Sequence, residues 1–562
     1  MVSGEDFDPA EQKKRIKRLF RDIVAAFELG SDTKSGRIPQ EILDFLRSAG
    51  GHSLVVKGEA GTGKTTFALQ MIEELADEQA EYYLSSRVSD EALYRQFPWL
   101  RERARRNNIL RAGKSFLKQT KPAQPKTEEA LHADATLKAA KELLRALARS
   151  ESVPGVVRSE LQKLEGQIEA GDLGGDESEY SSGEITDSSI ILDLGVMLPE
   201  LELAYDLAET NLPKKTLVVI DSIDSLSERY GIASHRIVNT LQKDLVEHSG
   251  TNIVYVFETS GRSSMDFLGD GVVALLSEEK EGRRVRQLVI EKLRGSRIER
   301  WRYTFTLADG RLRIFEPTWI KMPETMKKHS PVEDPDDGAA STGNKNVDEV
   351  FGGLPLGALT LLEIGADVPQ EVVRCLELSL VSDFLSKKRG VVWYPMNSID
   401  YSLLDRQMAA LVPKDRIAKG LRVLDSSGIA EGSYPFVTTI EGSEVSHDLR
   451  WDSLRYMLSG ASSPYLSLLG YDALEAQYGQ DVLAEAFGHI DSARRDGQVV
   501  VAEATQASKS LLSLAHQAQM HVKLESMEGA VMLCGQKPFT PYYHLEFEFE
   551  DGVPNARLVP ML

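Results

Sequence analysis

Gly58, Gly61 and Gly63 stand in the string Gly58-Glu59-Ala60-Gly61-Thr62-Gly63-Lys64-Thr65, which has the GxxxxGK(S/T) spacing and directly follows the apolar run Leu54-Val55-Val56. Residues of these types in this order cradle phosphate. The glycines let the backbone close around an anion with its N–H groups pointing inward, Lys64 reaches the β- and γ-phosphates, and the Thr65 hydroxyl can ligate magnesium. Thr66, next in the chain, joins them as an expected nucleotide contact. A second acid of interest ends the apolar run 216–220, where Asp221 would lie at the carboxyl edge of a sheet. There it could hold a magnesium-bound water, although an aspartate in that place can also simply cap a turn.

Such groups need a frame. Residues 54–56 read as the strand that delivers the loop and residues 67–75 as the helix that follows it. Residues 252–257 read as another buried strand, ending at Glu258, and are followed by strands at 271–276 and 286–291 and a hairpin around 303–307 with its turn at Asp309-Gly310. Strands alternating with helices predict an α/β fold with a mostly parallel sheet and an antiparallel edge. A length of 562 residues predicts more than one domain, and 42% hydrophobic residues suffice for real cores. The formal charge of −20 argues against whole-surface attraction to nucleic acid or anionic lipid. With only Cys375 and Cys534, a disulfide framework or zinc cluster is not expected, and a reducing cytoplasm fits best. The histidines show no metal-ligand spacing, and no apolar stretch is long enough for a membrane span.

The second half repeats the order of the first with its chemistry removed. Ile223-Asp224-Ser225-Leu226, closing at Tyr230-Gly231, is echoed by Tyr471-Asp472-Ala473-Leu474, closing at Tyr478-Gly479. That register sets Leu469 against Asp221. Residues 359–364 and Gly365 lead into residues 366–372, where Glu371 stands in place of the lysine and would repel phosphate. Glu503 echoes Glu258, and Asp551-Gly552 echoes Asp309-Gly310. Because 307 residues separate Gly58 from Gly365 and 248 separate Tyr230 from Tyr478, the first half carries about 59 extra residues, which fall mainly within 101–190. The expected plan is an N-terminal basic amphipathic helix in 1–34, an ATP-binding domain over 35–322 with a charged, partly disordered insertion at 101–190, a linker at 323–340 and a degenerate pseudo-ATPase domain over 341–562.

Several strings together resemble the KaiC/RecA superfamily of P-loop ATPases, including its archaeal RadA-like members. Val347-Asp348-Glu349-Val350-Phe351-Gly352-Gly353-Leu354-Pro355-Leu356-Gly357 is similar to the entry segment of such domains, and Lys292-Leu293-Arg294-Gly295-Ser296 to their Lys-x-Arg-Gly segment. The resemblance implies two tandem RecA-like lobes, the second degenerate, with ATP and Mg²⁺ at the first. It also implies that Lys292 and Arg294 reach the nucleotide of an adjoining subunit in a homo-oligomer, with Cys534 and Gln536 in their places in the second lobe. A narrower resemblance, to the regulatory GvpD family of gas-vesicle-forming archaea, rests on Gly58 to Thr65, on residues 83–99 and on two arginine-rich regions. These are Arg101, Arg103, Arg105, Arg106 and Arg111, and then Arg283, Arg284, Arg286, Arg294, Arg297, Arg300 and Arg302. It implies a repressor-like switch that acts on a transcriptional regulator.

One departure bears on mechanism. KaiC- and RecA-like enzymes end the strand after the loop helix in a water-activating glutamate, whereas here residues 82–86 run into Arg87-Val88. A guanidinium cannot serve as a base at neutral pH. Asp90 and Glu91 read more simply as a helix start capped by Ser89, which leaves Glu258 as the substitute. Nucleotide binding is therefore expected, with hydrolysis in the N-terminal domain slow or uncertain. The rival expectation is a RadA-like recombination accessory that binds DNA, and a third is a scaffold with a vestigial site. The amphipathic segment 9–28 is expected to pack on its own domain, arginines 101–111 to face solvent or to contact phosphates or an acidic partner, and arginines 283–302 to decorate a sheet edge, with Arg294 reserved for a subunit interface.

Overall fold

The computed structural model describes residues 38–85, 90–99, 199–259, 261, 265–323, 326–428, 432–479, 482–550 and 553–562. The N-terminal amphipathic segment, arginines 101–111, the whole of the 101–190 insertion and the Asp551-Gly552 turn lie outside them. The chain divides into two units, Ala80–Thr251 and the remainder. Within Ala80–Thr251, the strands Ala80–Ser85 and Thr216–Asp221 pair in parallel, from Ala80 opposite Thr216 to Ser85 opposite Asp221. Leu217, Val218, Val219 and Ile220 are fully buried, as the unbroken apolar run requires of a strand covered on both faces. The Ser222 hydroxyl accepts from the Ser225 N–H to start helix Ile223–Tyr230, and Gly231 ends it in the left-handed region.

The larger unit holds two sheets of one design. In the first, Asn252–Phe257, Ser53–Lys57 and Gly271–Lys280 lie side by side in parallel, and Arg283–Leu293, Arg302–Thr306 and Arg313–Ile314 follow antiparallel. In the second, Val499–Thr505, Leu359–Ile364 and Met520–Met527 are parallel, followed by antiparallel Ala530–Lys537, Tyr543–Glu550 and Val553–Pro560. The order repeats strand for strand. Ten strands form this second sheet, which continues through Ser462–Gly470, Arg389–Tyr394, Leu421–Asp425 and Val437–Thr439. Helix Gln370–Ser386 buries Val381, Phe384 and Leu385 in the core on one face, while Tyr471, Ala486 and Ile490 help fill the other. The result is an α/β fold with two mostly parallel, RecA-like sheets. Among the described residues no helix is long and apolar enough to cross a membrane.

The second arginine-rich region departs from expectation. Arg283 and Arg286 are buried and join the two sheets, rather than decorating an edge. Arg283 Nε donates to Thr540 O at 2.7 Å and Nη2 to Gly535 O at 2.7 Å, with the guanidinium 4.1 Å above the Phe539 ring. Around it an apolar cluster mixes Val285 and Phe315 of the first sheet with Met532, Cys534, Tyr542 and Val559 of the second. Arg300 donates to Glu528 O, and Arg313 pairs with Glu546 at 2.5 Å. Five guanidinium donors in a fixed fork suit backbone carbonyls at strand ends, which explains arginine at a junction lined with them. The segment between the halves is also anchored. Burial alone would raise the Asp334 carboxyl, but Arg389 and Lys387 hold it well below the usual carboxylate range.

Candidate nucleotide site

Strand Ser53–Lys57 ends in a buried lysine. Only 1% of the Lys57 side chain is exposed, and its Nζ lies 2.9 Å from Asp266 Oδ2 and 2.8 Å from Glu291 Oε2. Burial would lower its pKa, yet the two carboxylates leave it raised, so this cation anchors the strand end. Its only sequence signal is a lysine closing an otherwise apolar run. The loop then turns. A Cβ on Gly58 would stand 2.4 Å from Leu275 O, so only glycine allows this approach, and Gly61 (φ +79°) and Gly63 (φ +102°) take left-handed backbone. Thr62 Oγ1 donates to Glu59 O at 2.9 Å, and Lys64 Nζ donates to Gly58 O and Glu59 O, each at 2.7 Å. Lys64 is 7% exposed and opens helix Lys64–Leu75, whose N-terminus has no side-chain cap among the described residues. None of the described residues lies within 4 Å of a Cβ built on Gly61. An uncapped helix N-terminus, an inward-turned amine and open space over the loop are the features a phosphate group fits.

Two further side chains support the loop. Arg286 Nη1 donates to Gly61 O at 2.9 Å while its Nε donates to Leu562 O, and the Leu307 side chain packs against Gly63. Thr306 Oγ1 donates to Pro560 O at 2.7 Å beside it. The end of the second sheet thus meets the phosphate loop through one buried guanidinium. Sequence reading marked Arg286 only as part of a cluster, because its partners are 225 and 276 residues away.

The other expected residues are dispersed. Glu258 is exposed, one residue beyond strand Asn252–Phe257. Lys292 donates to the carbonyls of Asp266, at 3.2 Å, and Gly269, and burial lowers its pKa. Arg294 is 64% exposed and pairs with Asp270 Oδ1 at 2.8 Å. Leu293 faces Gly271, which faces Leu54, so Arg294 lies toward the amino end of the strand whose carboxyl end releases the loop. In its own unit, Asp221 is half-buried at the end of its strand and accepts from Tyr83 Oη at 2.8 Å. Burial and the Asp221 charge keep that phenol protonated. Asp90 opens helix Asp90–Gln96, while Arg87, Val88 and Ser89 lie outside the described residues.

Comparison with known families bears on this loop-bearing region, because residues 42–291 match the model of the GvpD gas vesicle protein, P-loop domain. Those residues are similar to the GvpD P-loop domain. Protein GvpD2 of Halobacterium salinarum is 24% identical over 545 residues, spanning 93% of this chain and 96% of the relative. Protein GvpD1 of the same organism is 23% identical over 378 residues, spanning 57% of this chain and 70% of its own length.

Beyond the matched residues, the second sheet differs where a phosphate loop would lie. Residue Gly365 follows strand Leu359–Ile364, Pro369 at the N-cap of helix Gln370–Ser386 removes an N–H, and Glu371 is exposed in the first turn. Two correspondences drawn from sequence shift here. Lys57 faces Phe257 and Ile364 faces Thr505, so Glu503 matches Tyr255 inside its strand rather than Glu258 beyond the other. The strand continues to Thr505 with Glu503 buried inside it. Likewise Lys292 faces Val272 while Gly535 faces Val522, so Gly535 and not Cys534 occupies the lysine's place. Burial pushes the Cys534 thiol up to about 11 and the Cys375 thiol to about 12, which makes both inert.

Glu503 is 2% exposed and hydrogen-bonded to Glu377, itself buried, with Arg374 Nη1 3.5 Å from Glu377 Oε2. Burial first, and then the neighbouring carboxylate, raise the Glu503 pKa well above its usual value. A carboxyl that keeps its proton longer when folded stabilises the fold relatively at low pH, and that advantage fades as pH rises from the ordinary value of about 4.3 toward the raised one. Glu503→Gln is therefore expected to flatten the profile. Melting temperatures at pH 5 and pH 8 should show the variant gaining on the parent at the higher pH; equal differences at both would count against a shared proton.

Proposed function

We propose that this GvpD-like P-loop protein is a MgATP-dependent regulatory switch whose occupied loop is read by a protein partner such as a transcriptional regulator. The observation that carries the reading is one intact loop, Gly58 to Lys64, held through Arg286 against a second RecA-like lobe whose own loop is degenerate. Bound MgATP would supply the phosphate charge and the metal that complete the site. Lys64 would exchange its two carbonyl acceptors for phosphate oxygens, the Gly61 and Gly63 backbone would orient N–H groups, and Thr65 and Asp221 would serve the metal side. Any movement of Gly61 would pull on Arg286 and so reach Leu562. A switch needs such a contact, since a ligand shifts an equilibrium only through different interactions in the two states.

Hydrolysis in this reading is slow. Glu258 is the available carboxylate, and Lys292 and Arg294 would act on an adjoining subunit's nucleotide only in a homo-oligomer. The deciding measurement is binding of MgATP and MgADP to the purified protein with turnover recorded on the same sample. Tight ATP binding with turnover below about 1 s⁻¹, the low end of ordinary enzymes, is expected. No ATP binding would end the proposal, and ATP-stimulated, salt-sensitive DNA binding would favour a recombination accessory instead.

A further inference from the structure

Two glycines of the phosphate loop, on either side of Thr62, are held by groups that the second lobe fixes in place. On one side Arg286 Nη1 donates to Gly61 O at 2.9 Å, while Nε of the same guanidinium donates to Leu562 O. On the other, the Leu307 side chain packs against Gly63, and the neighbouring Thr306 Oγ1 donates to Pro560 O at 2.7 Å and accepts from Leu562 N at 3.4 Å. Residues 560–562 are themselves seated, since Met561 is buried and its N–H donates to Tyr542 O at 2.8 Å. We propose that Arg286 is a positioning residue for the nucleotide, and that through it the end of the second lobe sets how tightly the loop takes phosphate. This rests on the nucleotide reading above and names the part of the chain that regulates that site.

A trans peptide points its C=O and its N–H in opposite directions. Holding Gly61 O on one side of the loop therefore turns the Thr62 N–H to the other, and there it joins two more donors. Thr62 N, Thr62 Oγ1 and Lys64 Nζ all bond to Glu59 O, at 3.4, 2.9 and 2.7 Å. A phosphate oxygen accepts several such donors at once and, being charged, binds them more strongly than a neutral carbonyl does. Without Arg286, the peptide after Gly61, an unobstructed glycine at φ +79°, is free to rotate and carry the Thr62 N–H away. Arg286 is 5% exposed, so its hold on Gly61 is a charge-assisted bond sheltered from water. Coupling of this kind is reciprocal, so an occupied loop steadies residues 553–562 by the same factor that they add to its affinity.

The full chain is compared with Arg286→Gln and Thr306→Val, and with Arg283→Ala as a control that weakens the junction of the sheets without touching the loop. MgATP affinity is read by isothermal titration, and amide hydrogen exchange in residues 553–562 is read with and without saturating MgATP. Arg286→Gln should weaken MgATP about tenfold, the effect of losing one charge-assisted contact, and Arg283→Ala should leave the affinity unchanged. MgATP should slow exchange in residues 553–562 about tenfold in the parent and in Arg283→Ala, and should not slow it in Arg286→Gln. Thr306→Val keeps the side-chain shape and serves if Arg286→Gln does not fold; it should weaken MgATP about threefold, as loss of a neutral hydrogen bond does. Equal weakening in Arg286→Gln and Arg283→Ala would make Arg286 a prop of the junction and overturn the proposal. So would parental affinity in Arg286→Gln, or in Thr306→Val where Arg286→Gln does not fold, or exchange in the parent that ignores MgATP. Each of these outcomes ends this inference alone, whereas a parent that binds no MgATP ends the nucleotide reading with it.

Discussion

Lys64→Ala is expected to weaken MgATP binding about 100-fold. The Lys64 amine is nearly buried and sits 2.7 Å from two loop carbonyls, so it is positioned over the place a phosphate would occupy. Hydrogen bonds to a charged partner contribute about 1.5–3 kcal/mol each, and losing roughly 3 kcal/mol in total corresponds to two powers of ten in affinity. The effect on folding should be small, because alanine is a good helix former at this helix start. Isothermal titration of the two proteins decides it, and affinities within about threefold of each other would remove Lys64 from the site.

Arg283→Ala should cost the larger unit about 3 kcal/mol of stability. The guanidinium is buried at the junction of the sheets and supplies the donors for Thr540 O and Gly535 O. Truncation leaves both carbonyls without these donors and opens space beneath the Phe539 ring, and each orphaned group costs about 1–3 kcal/mol. Arg283→Lys should rescue little, since one ammonium cannot reproduce a two-pronged fork. Urea unfolding reads the outcome as a shifted midpoint. If Arg283→Ala unfolds at the parental midpoint, the junction does not depend on this residue.

Much of the fold was legible because its signals are local. Runs such as Leu217 to Ile220 are continuous because a parallel strand covered on both faces buries every side chain, and the turn at Gly231 after its helix needs only a left-handed glycine. The repeat was legible for the same reason, and the two sheets agree strand for strand. Its fine register was not. Glu503 looks like a strand terminus in sequence, yet it lies inside the strand opposite Leu362, where burial beside Glu377 raises its pKa. The loop pattern from Gly58 to Thr65 was complete in sequence, but its anchors were not. Lys57 finds Asp266 and Glu291, and Arg286 finds Gly61 and Leu562, across separations that no spacing rule covers.

By itself the sequence determined the phosphate loop, the mostly parallel α/β class, the tandem plan and the loss of the lysine in the second half. Each of these depends on neighbouring residues, through glycine torsions, hydrophobic runs or a single charge. Tertiary structure alone decided that Arg283 and Arg286 tie the two sheets together and that Lys292 turns to carbonyls of its own chain. Burial and hydrogen-bond partners arise only when distant segments pack, and the same arginine or glutamate reads identically in sequence whether it faces water or a buried carbonyl.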